Sequence, residues 1–507
     1  MEPQPSYSEL AGLVASLQDE VAGLRGDNDA LRVESEQLRA ENEELRRRLG
    51  MNSANSSRPP SSDGPFDKPT PKQSAMRRRS GRKPGKQPGT PGMTRRQVDN
   101  PDEVVGCRPE VCGCGASLAR AQVYGLQKRQ VFEASPPPPP RVVEYQVFAL
   151  RCGCCGQVSV GQAPAWVTGR VQWGPSVSAR GVLATIGHHL PYGRAVVLLD
   201  KLAGVKVAVG FLVAARKKAA RLLEPFMAHV RALLRQVGLL HADETVARAA
   251  GGNRYLHVAC TGSLTALHVG GRSAADIDAG GVLDGFSGVL VRDGYAGYQH
   301  LVDAVHAWCG AHTLRDLKAI HDADPDRQTG ADSMATTLVM ALRATNAARA
   351  AGATQLDDEQ LSFLRSCYAG AIAQMREDNA AAATGLQQRA LSLADRFESH
   401  RDMILRFLHD LAVPFTNNQA ERDVRPAKLK QRNGGGSWRT LQGLADFAVI
   451  WSYLSTAAKH GMDQLEALTQ LFTTGPWLPP APDPNPHLTR QWTTTPTSRP
   501  NQAMIGG

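Results

Sequence analysis

The sequence predicts a multidomain α/β protein, with one mixed sheet interrupted by helices and preceded by non-globular and cysteine-bearing segments. Three observations predict it. Two apolar runs, Leu239-Leu240-His241-Ala242-Asp243-Glu244-Thr245 and Gly288-Val289-Leu290-Val291-Arg292-Asp293-Gly294-Tyr295, have the length of strands, and each arrives at a carboxylate. A leucine recurs every seventh residue from Leu10 to Leu45. Six of the nine cysteines fall into two short clusters.

The chain has 507 residues, more than one domain usually needs. Its formal net charge of +10 favours a polyanionic partner, either nucleic acid or an acidic membrane surface. No apolar run is long enough to span a bilayer. The start, Met1-Glu2-Pro3-Gln4-Pro5, lacks the basic and apolar regions of a secretory signal. The expectation is a soluble cytoplasmic protein with no membrane partner. Clustered cysteines in a reducing compartment point to metal ligation more than to disulfides.

Residues 1–50 read as a leucine-zipper-like coiled coil. With Leu10, Leu17, Leu24, Leu31, Leu38 and Leu45 at d, the a positions are Val14, Val21, Asn28, Ser35, Asn42 and Leu49. A buried Asn at a favours a two-stranded parallel register. Glu20, Asp27, Glu34 and Glu41 at g face Arg25, Arg32, Arg39 and Arg46 at e of a second copy, so a homodimer is expected. Residues 51–100 form a disordered basic linker, rich in Pro, Gly and Ser. Its cations Arg77, Arg78, Arg79, Arg82, Lys83 and Lys86 suit DNA phosphates; a merely solubilising linker has the same composition.

Residues 101–166 read as a zinc-ribbon-like domain. Cys112 and Cys114 form one knuckle, Cys152 and Cys155 the other, with Cys107 and Cys154 as competitors. Four thiolates would hold one Zn²⁺ per chain; the alternative is a set of structural cysteines. Val142 to Leu150 between them reads as a strand, after a stiff run from Pro136 to Pro140. Residues 167–236 look helical, with a helix, glycine turn, helix order around Gly204. That order resembles a helix-turn-helix, as does any pair of packed helices joined at a glycine.

At Val237 the period changes to that of strands: Leu239 to Glu244, Arg254 to Cys260, Leu264 to Val269 and Val289 to Asp293. A helix from Tyr298 to Val302 then precedes the strand Val305 to Cys309. Three strands, a fourth, a helix and a fifth is the order of a ribonuclease-H-like core, placed here at 237–465. A helical insertion at 326–410 interrupts it, with Met334, Leu338, Leu342, Ile404, Leu405 and Leu408 at helical spacing. A basic helix follows, capped by Asn417 or Asn418, and its exposed face should carry Arg422, Arg425, Lys428, Lys430 and Arg432. Another helix spans Leu441 to Lys459. Residues 476–507, dominated by Pro and Thr, are expected to be a disordered tail.

Asp243, Asp293 and Glu421 are the candidate acids. Two aspartates at strand ends and a glutamate at a helix start can converge as an all-oxygen site for two hard cations, the requirement of two-metal phosphodiester chemistry. Strands also end on Asp because turns favour it. Glu244 points to the other face of its strand, and Asp423 lies about 200° round the helix from Glu421, so both are excluded.

The chain resembles the insertion-sequence-sixty-six transposases, bacterial DDE transposases. The resemblance is carried by the S-S-x-P-P-S-S-D-G core within Asn52 to Gly64, Gly81-Arg82-Lys83-Pro84-Gly85-Lys86-Gln87-Pro88-Gly89, the cysteine knuckles, and His189-Leu190-Pro191-Tyr192-Gly193-Arg194. It continues through His241-Ala242-Asp243-Glu244-Thr245, Asp293-Gly294-Tyr295, Trp308-Cys309-Gly310-Ala311-His312 and Asn417-Asn418-Gln419-Ala420-Glu421-Arg422-Asp423-Val424-Arg425-Pro426. The first knuckle is C-x-C where the family shows C-x-x-C.

The resemblance implies Asp243, Asp293 and Glu421 as catalytic acids holding two Mg²⁺ (or Mn²⁺). It implies strand cleavage and transfer at transposon ends, with target DNA and possibly accessory proteins of the same element as partners, in the bacterial nucleoid. Cys309 and His312 are similar to a C-x-x-H signature of several DDE families, and a supporting role near the metals is open beside plain packing. Arg425 and Lys428 join the basic arm as candidate DNA contacts. The alternatives are a dimeric DNA-binding regulator with a degenerate catalytic fold, or a ribonuclease-H-like nuclease.

Overall fold

The computed structural model describes residues 95–482 and most positions from 21 to 42. The described positions within 21–42 are helical, with the seam residues Val21, Leu31 and Leu38 exposed on the single chain. The rest of the heptad segment, the basic arm with Arg77, Arg78, Arg79, Arg82, Lys83 and Lys86, and the segment 483–507 lie outside the described residues. Among the described residues no helix is long and apolar enough to cross a membrane.

A two-stranded sheet, β1 (Ala149–Arg151) against β2 (Val158–Val160), carries the second cysteine knuckle in its turn. The strand expected over Val142 to Leu150 is reduced to its last two residues plus Arg151. Residues 142–148 are exposed and have no neighbouring strand to receive their backbone groups. The first knuckle sits in a tighter turn, closed by a bridge between Val111 and Ser117.

The main sheet has the order β5-β4-β3-β6-β7. β3 (Leu239–Ala249), β4 (Gly252–Cys260) and β5 (Thr265–Gly270) are antiparallel neighbours. β6 (Val289–Arg292) and β7 (Val305–Trp308) run parallel to β3. β3 runs five residues beyond the predicted Glu244. Ala250 and Gly251 join it to β4, both with positive φ (51° and 79°), in the primed turn whose twist matches a hairpin. The helix predicted over Tyr298 to Val302 is instead one 3₁₀ turn, Ala296–Tyr298, followed by successive i→i+3 turns. The short link from Arg292 to Val305 leaves no length for more.

Ahead of the sheet come α1 (Pro175–Val182), which passes into a π turn at Leu183–Gly187, then α2 (Tyr192–Ala203), α3 (Val209–Leu222) and α4 (Glu224–Leu234). Gly204, at φ 65°, closes α2. The short α5 (Ala274–Asp278), opened by a Ser273–Asp276 capping box, lies between β5 and β6.

After β7 come α6 (Gly310–His321), then α7 (Thr329–Ala350), α8 (Asp358–Asp378), α9 (Gly385–Ser399), α10 (Arg401–Ile404) and α11 (Arg406–His409). The chain returns through α12 (Asn418–Asn433), α13 (Leu441–Lys459) and α14 (Gln464–Thr473).

Two cores result. Leu240, Leu256, Leu267 and Leu290 pack with Phe226 and Leu234 of α4, Ala420 and Val424 of α12, and Phe447 and Tyr453 of α13. Val291, Ala307 and Trp308 pack instead with α6 and the inserted helices through Leu317, Met334, Leu338, Ile372 and Phe397. Leu290 and its neighbour Val291 thus enter different cores. That is how a parallel strand covered on both faces reads as an unbroken apolar run.

Candidate active site

Register brings the two aspartates together. His241 pairs with Val291 across the parallel β3–β6 ladder. Asp243 and Asp293 each lie two residues further on, so they sit on one face of neighbouring strands, whose spacing is about 4.8 Å. One carboxylate oxygen of Asp243 accepts from the Glu244 backbone N–H at 2.9 Å, and one of Asp293 accepts from that of Tyr295 at 3.0 Å. These bonds fix the rotamers.

Glu421 arrives from the first turn of α12. The residue that seats this turn is Asn417. The sequence suggests it as a cap, yet its side chain makes no capping bond. It reaches across to β3, where Nδ2 donates to the Ala242 carbonyl at 2.7 Å and Oδ1 lies 2.9 Å from Nδ1 of His241. The side chain that could have capped the first turn is committed instead to a buried carbonyl on another element. Replacing Asn417 with Ala leaves these groups unpaired and should cost about 1–3 kcal/mol. Because it also loosens Glu421, any turnover that depends on that carboxylate should fall by about tenfold or more, on the order of what small misplacements cost. Thermal melts and turnover on one preparation check both.

Cys309 and His312 complete the group. Cys309 is the N-cap residue of α6 and His312 lies three positions on, so both side chains gather at the same helix end. Cys309 Sγ, a ring nitrogen of His312 and a Glu421 carboxylate oxygen all lie within 4.8 Å of one another. The Asn417 backbone N–H donates to Cys309 Sγ at 3.1 Å, and the Gly310 N–H donates to the Phe415 carbonyl at 2.7 Å. Gly310 has no room for a Cβ, because the Phe415 ring would lie 2.1 Å away.

The electrostatics are those of crowded anions. Burial pushes the Asp243 carboxyl well above the usual carboxylate range, and the charges of Asp293, Glu244 and Glu421 push it further. Among the described residues no cationic side chain pairs with Asp243, which accepts instead from a backbone N–H. Among the described residues the three acids do not close into one ligand group, and Glu421 is linked to Asp243 by its charge alone; a site short of positive charge suits a hard divalent cation. Burial lowers the His312 pKa, Arg315 lowers it further, and Asp293 and Glu421 oppose both.

Glu244 lies on the opposite face, accepting from Arg272 at 2.9 Å and from the Tyr298 hydroxyl at 2.8 Å. Asp423 is buried against β5 and α13. It accepts from the Thr265 hydroxyl at 3.0 Å and forms an ion pair with Lys459 at 2.5 Å.

The basic face of α12 is narrower than its periodicity implies. Arg422, Arg425 and Arg432 are exposed. Lys428 is half-buried and donates to the Val246 carbonyl, while Lys430 is buried and donates to the Leu190 carbonyl at 2.8 Å. Burial lowers the pKa of each to about 8. Lys428, expected as a DNA contact, thus spends one of its three donors on β3.

In the cysteine module the thiols of both knuckles are exposed. Backbone N–H groups and the neighbouring thiol lower the pKa of Cys114 and of Cys152. This favours thiolates, as a zinc site needs. Among the described residues the two knuckles do not meet as one ligand group.

One residue at the site escaped the sequence reading. Arg292, buried at 1% exposure, donates through Nε to Nδ1 of His306 at 2.9 Å. Its Nη1 donates to the carbonyls of Asp293 and Tyr295 at 2.8 and 3.0 Å. It holds the turn that presents Asp293. The available signal was a charged residue inside the apolar run Val289-Leu290-Val291.

Comparison with known proteins gives three matches. The profile described as "Transposase IS66 family" matches residues 170–445, more than half of the chain. A "Family of unknown function (DUF6444)" matches residues 2–96. The chain is also similar to the uncharacterized protein y4qI of Sinorhizobium fredii, with 25% identity over 210 residues; the match spans 38% of this chain and 36% of that protein.

Proposed function

The chain belongs to the Transposase IS66 family, and from this premise we propose that it is the DNA-processing enzyme of a mobile element, cutting strands at the element's ends and transferring them to target DNA. The observation that carries the reading is the register of β3 and β6, which sets Asp243 beside Asp293, together with a Glu421 whose charge acts on Asp243. The strand order, three antiparallel strands followed by two parallel to the first, supports a ribonuclease-H-like core.

Asp243 and Asp293 would hold one Mg²⁺ or Mn²⁺ between them, and Glu421 would complete a second site. Bound there, the two ions supply activation of the attacking water or 3′-hydroxyl and stabilisation of the leaving oxygen. The chain itself supplies position. Asn417 seats the helix of Glu421, Arg292 holds the turn of Asp293, and the exposed Arg422 and Arg425 offer charge to the DNA backbone beside the acids. The test is nicking of a labelled duplex carrying the element's end. Nicking should require Mg²⁺ or Mn²⁺ and fail in Ca²⁺-free chelator; nicking that survives full chelation would exclude the mechanism.

The heptads support a parallel homodimer, since their seam residues Val21, Leu31 and Leu38 are exposed on the single chain and their e and g charges match a second copy. The knuckles support a zinc module joined by Cys112, Cys114, Cys152 and Cys155. One preparation tests both. Sedimentation should give a dimer that becomes monomeric when Leu24, Leu31 and Leu38 are all Ala, because each truncated seam leucine costs about 2–5 kcal/mol. Zinc content should fall by one ion per chain when Cys152 and Cys155 are Ser.

A further inference from the structure

Glu421 belongs to two ligand groups of opposite character. Toward Asp243, whose carboxyl its charge perturbs, it is the third acid of the proposed oxygen site. Toward α6 it faces the thiol of Cys309 and the imidazole of His312, all three ligand atoms lying within 4.8 Å of one another. A tetrahedral zinc ion with Zn–S of ~2.3 Å and Zn–N and Zn–O of ~2.0 Å separates its ligands by roughly 3.3–3.8 Å, so small side-chain adjustments close the group round one ion. Thiolate and imidazole suit zinc and are poor ligands for magnesium.

Two further observations point to a ligand there. Nδ1 of His312 is buried and has no hydrogen-bond partner. A buried ring nitrogen without a partner is costly in a finished core and ordinary in a metal site lacking its ion. The Cys309 sulfur already receives an N–H from Asn417, the kind of outer contact that orients a metal ligand.

We propose that Cys309, His312 and Glu421 bind a zinc ion, with a fourth position open to water, and that this ion draws Glu421 away from the oxygen cluster and holds the enzyme idle. On binding, the Cys309 thiol releases its proton to solvent and the sulfur lone pair forms the bond; nothing is oxidised or reduced. The binding half stands on the geometry alone. The inhibitory half rests on the catalytic role proposed for Glu421.

Cobalt(II) is the probe, in full-length protein whose exposed Cys107, Cys112, Cys114, Cys152, Cys154 and Cys155 are all replaced by Ser, so that the knuckles do not contribute. The expected result is one ion per chain with a thiolate-to-cobalt absorption band. The band should vanish in Cys309→Ser, and His312→Gln should bind at least about tenfold more weakly, the usual cost of disturbing a metal site. Far-ultraviolet circular dichroism verifies folding; if Cys309→Ser does not fold, His312→Gln decides. A folded parent without the band, or His312→Gln with unchanged affinity, overturns the site. Zinc added to the parent should reduce Mg²⁺-dependent nicking at least about tenfold, and His312→Gln should resist it at that concentration. A parent that binds cobalt yet nicks equally with and without zinc overturns the inhibitory half. A parent that binds cobalt while the wild-type chain, its knuckles intact, never nicks with Mg²⁺ upholds the metal site and removes the functional reading instead.

Discussion

Mg²⁺-dependent nicking of an end duplex is expected to fall about a thousandfold or more, to background, in Asp243→Asn, Asp293→Asn and Glu421→Gln alike. Each change keeps the shape of the side chain and removes a charge. Carboxamides are poor ligands for hard cations, and groups that act as one unit lose nearly everything when one member goes. DNA binding should persist in all three, with its salt dependence intact, because phosphate contacts come from arginines and lysines outside the triad. Asp243→Asn should also be no less stable than the wild type without metal, since it removes a buried carboxylate crowded by three others. The controls are Glu244→Gln, which keeps its bonds to Tyr298 and Arg272 on the opposite face, and Asp303→Asn at an exposed position. One triad variant with near-wild-type nicking, or a control that loses it, would sink the assignment. A gel shift on the same preparations separates lost chemistry from lost binding.

The second large effect is on stability. Asp423 and Lys459 form an ion pair whose side chains are only 8% and 12% exposed. Lys459 also donates to the carbonyls of Thr261 and Leu264 at 2.8 Å, so it bolts α13 to the β4–β5 turn and, through Asp423, to α12. Asp423→Ala leaves a buried ammonium without its counter-charge, which typically costs about 3–5 kcal/mol. For a domain of this size that lowers the melting temperature on the order of 10 °C. An apolar pair, Asp423→Leu with Lys459→Met, should recover much of the loss, because a well-packed apolar replacement avoids burying a lone charge. Recovery absent from the double variant, together with a single variant that melts normally, would show the pair to be incidental. Periodicity alone makes Asp423 look like an inert neighbour of Glu421, and Asp423→Asn a harmless control. The structure makes it a fold determinant whose loss should unseat the helix that carries Glu421.

What the sequence revealed follows from what periodicity can encode. Short apolar runs of strand length located five strands, and the helical spacing of Met334, Leu338, Ile404 and Leu408 located the insertion, because those patterns report which faces are buried. The aspartates stand out because each ends an apolar run. The hairpin extension of β3 was hidden: its turn is Ala250-Gly251, and Ala is a poor herald of a positive φ. The environment of α12 was hidden too. Periodicity gives the angle between Lys428, Lys430 and Glu421 round the helix, and says nothing of how many neighbours surround it. With β3 on one side and the segment at Leu190 on another, two lysines that read as solvent-facing are held by carbonyls. Asn417 and Arg292 were beyond reach for a similar reason. Their partners lie on other elements, and a polar residue's choice between local and distant partners is settled only once the elements are packed.

The insertion separates Asp293 from Glu421 by well over a hundred residues, and its helices pack with β6, β7 and α6 around the second core. Its consequence is one of timing. The sheet that presents the aspartates and the inserted helices can each form from nearby chain, whereas Glu421 takes its place only when Asn417 docks on β3, and that docking is secured by Lys459 from still further along. During synthesis the residues that could cut DNA are therefore the last to be assembled. A nascent or truncated chain ending before Lys459 carries both aspartates in place and lacks the anchor for the third acid. The third acid is thus the last of the three to be held in place as the chain lengthens.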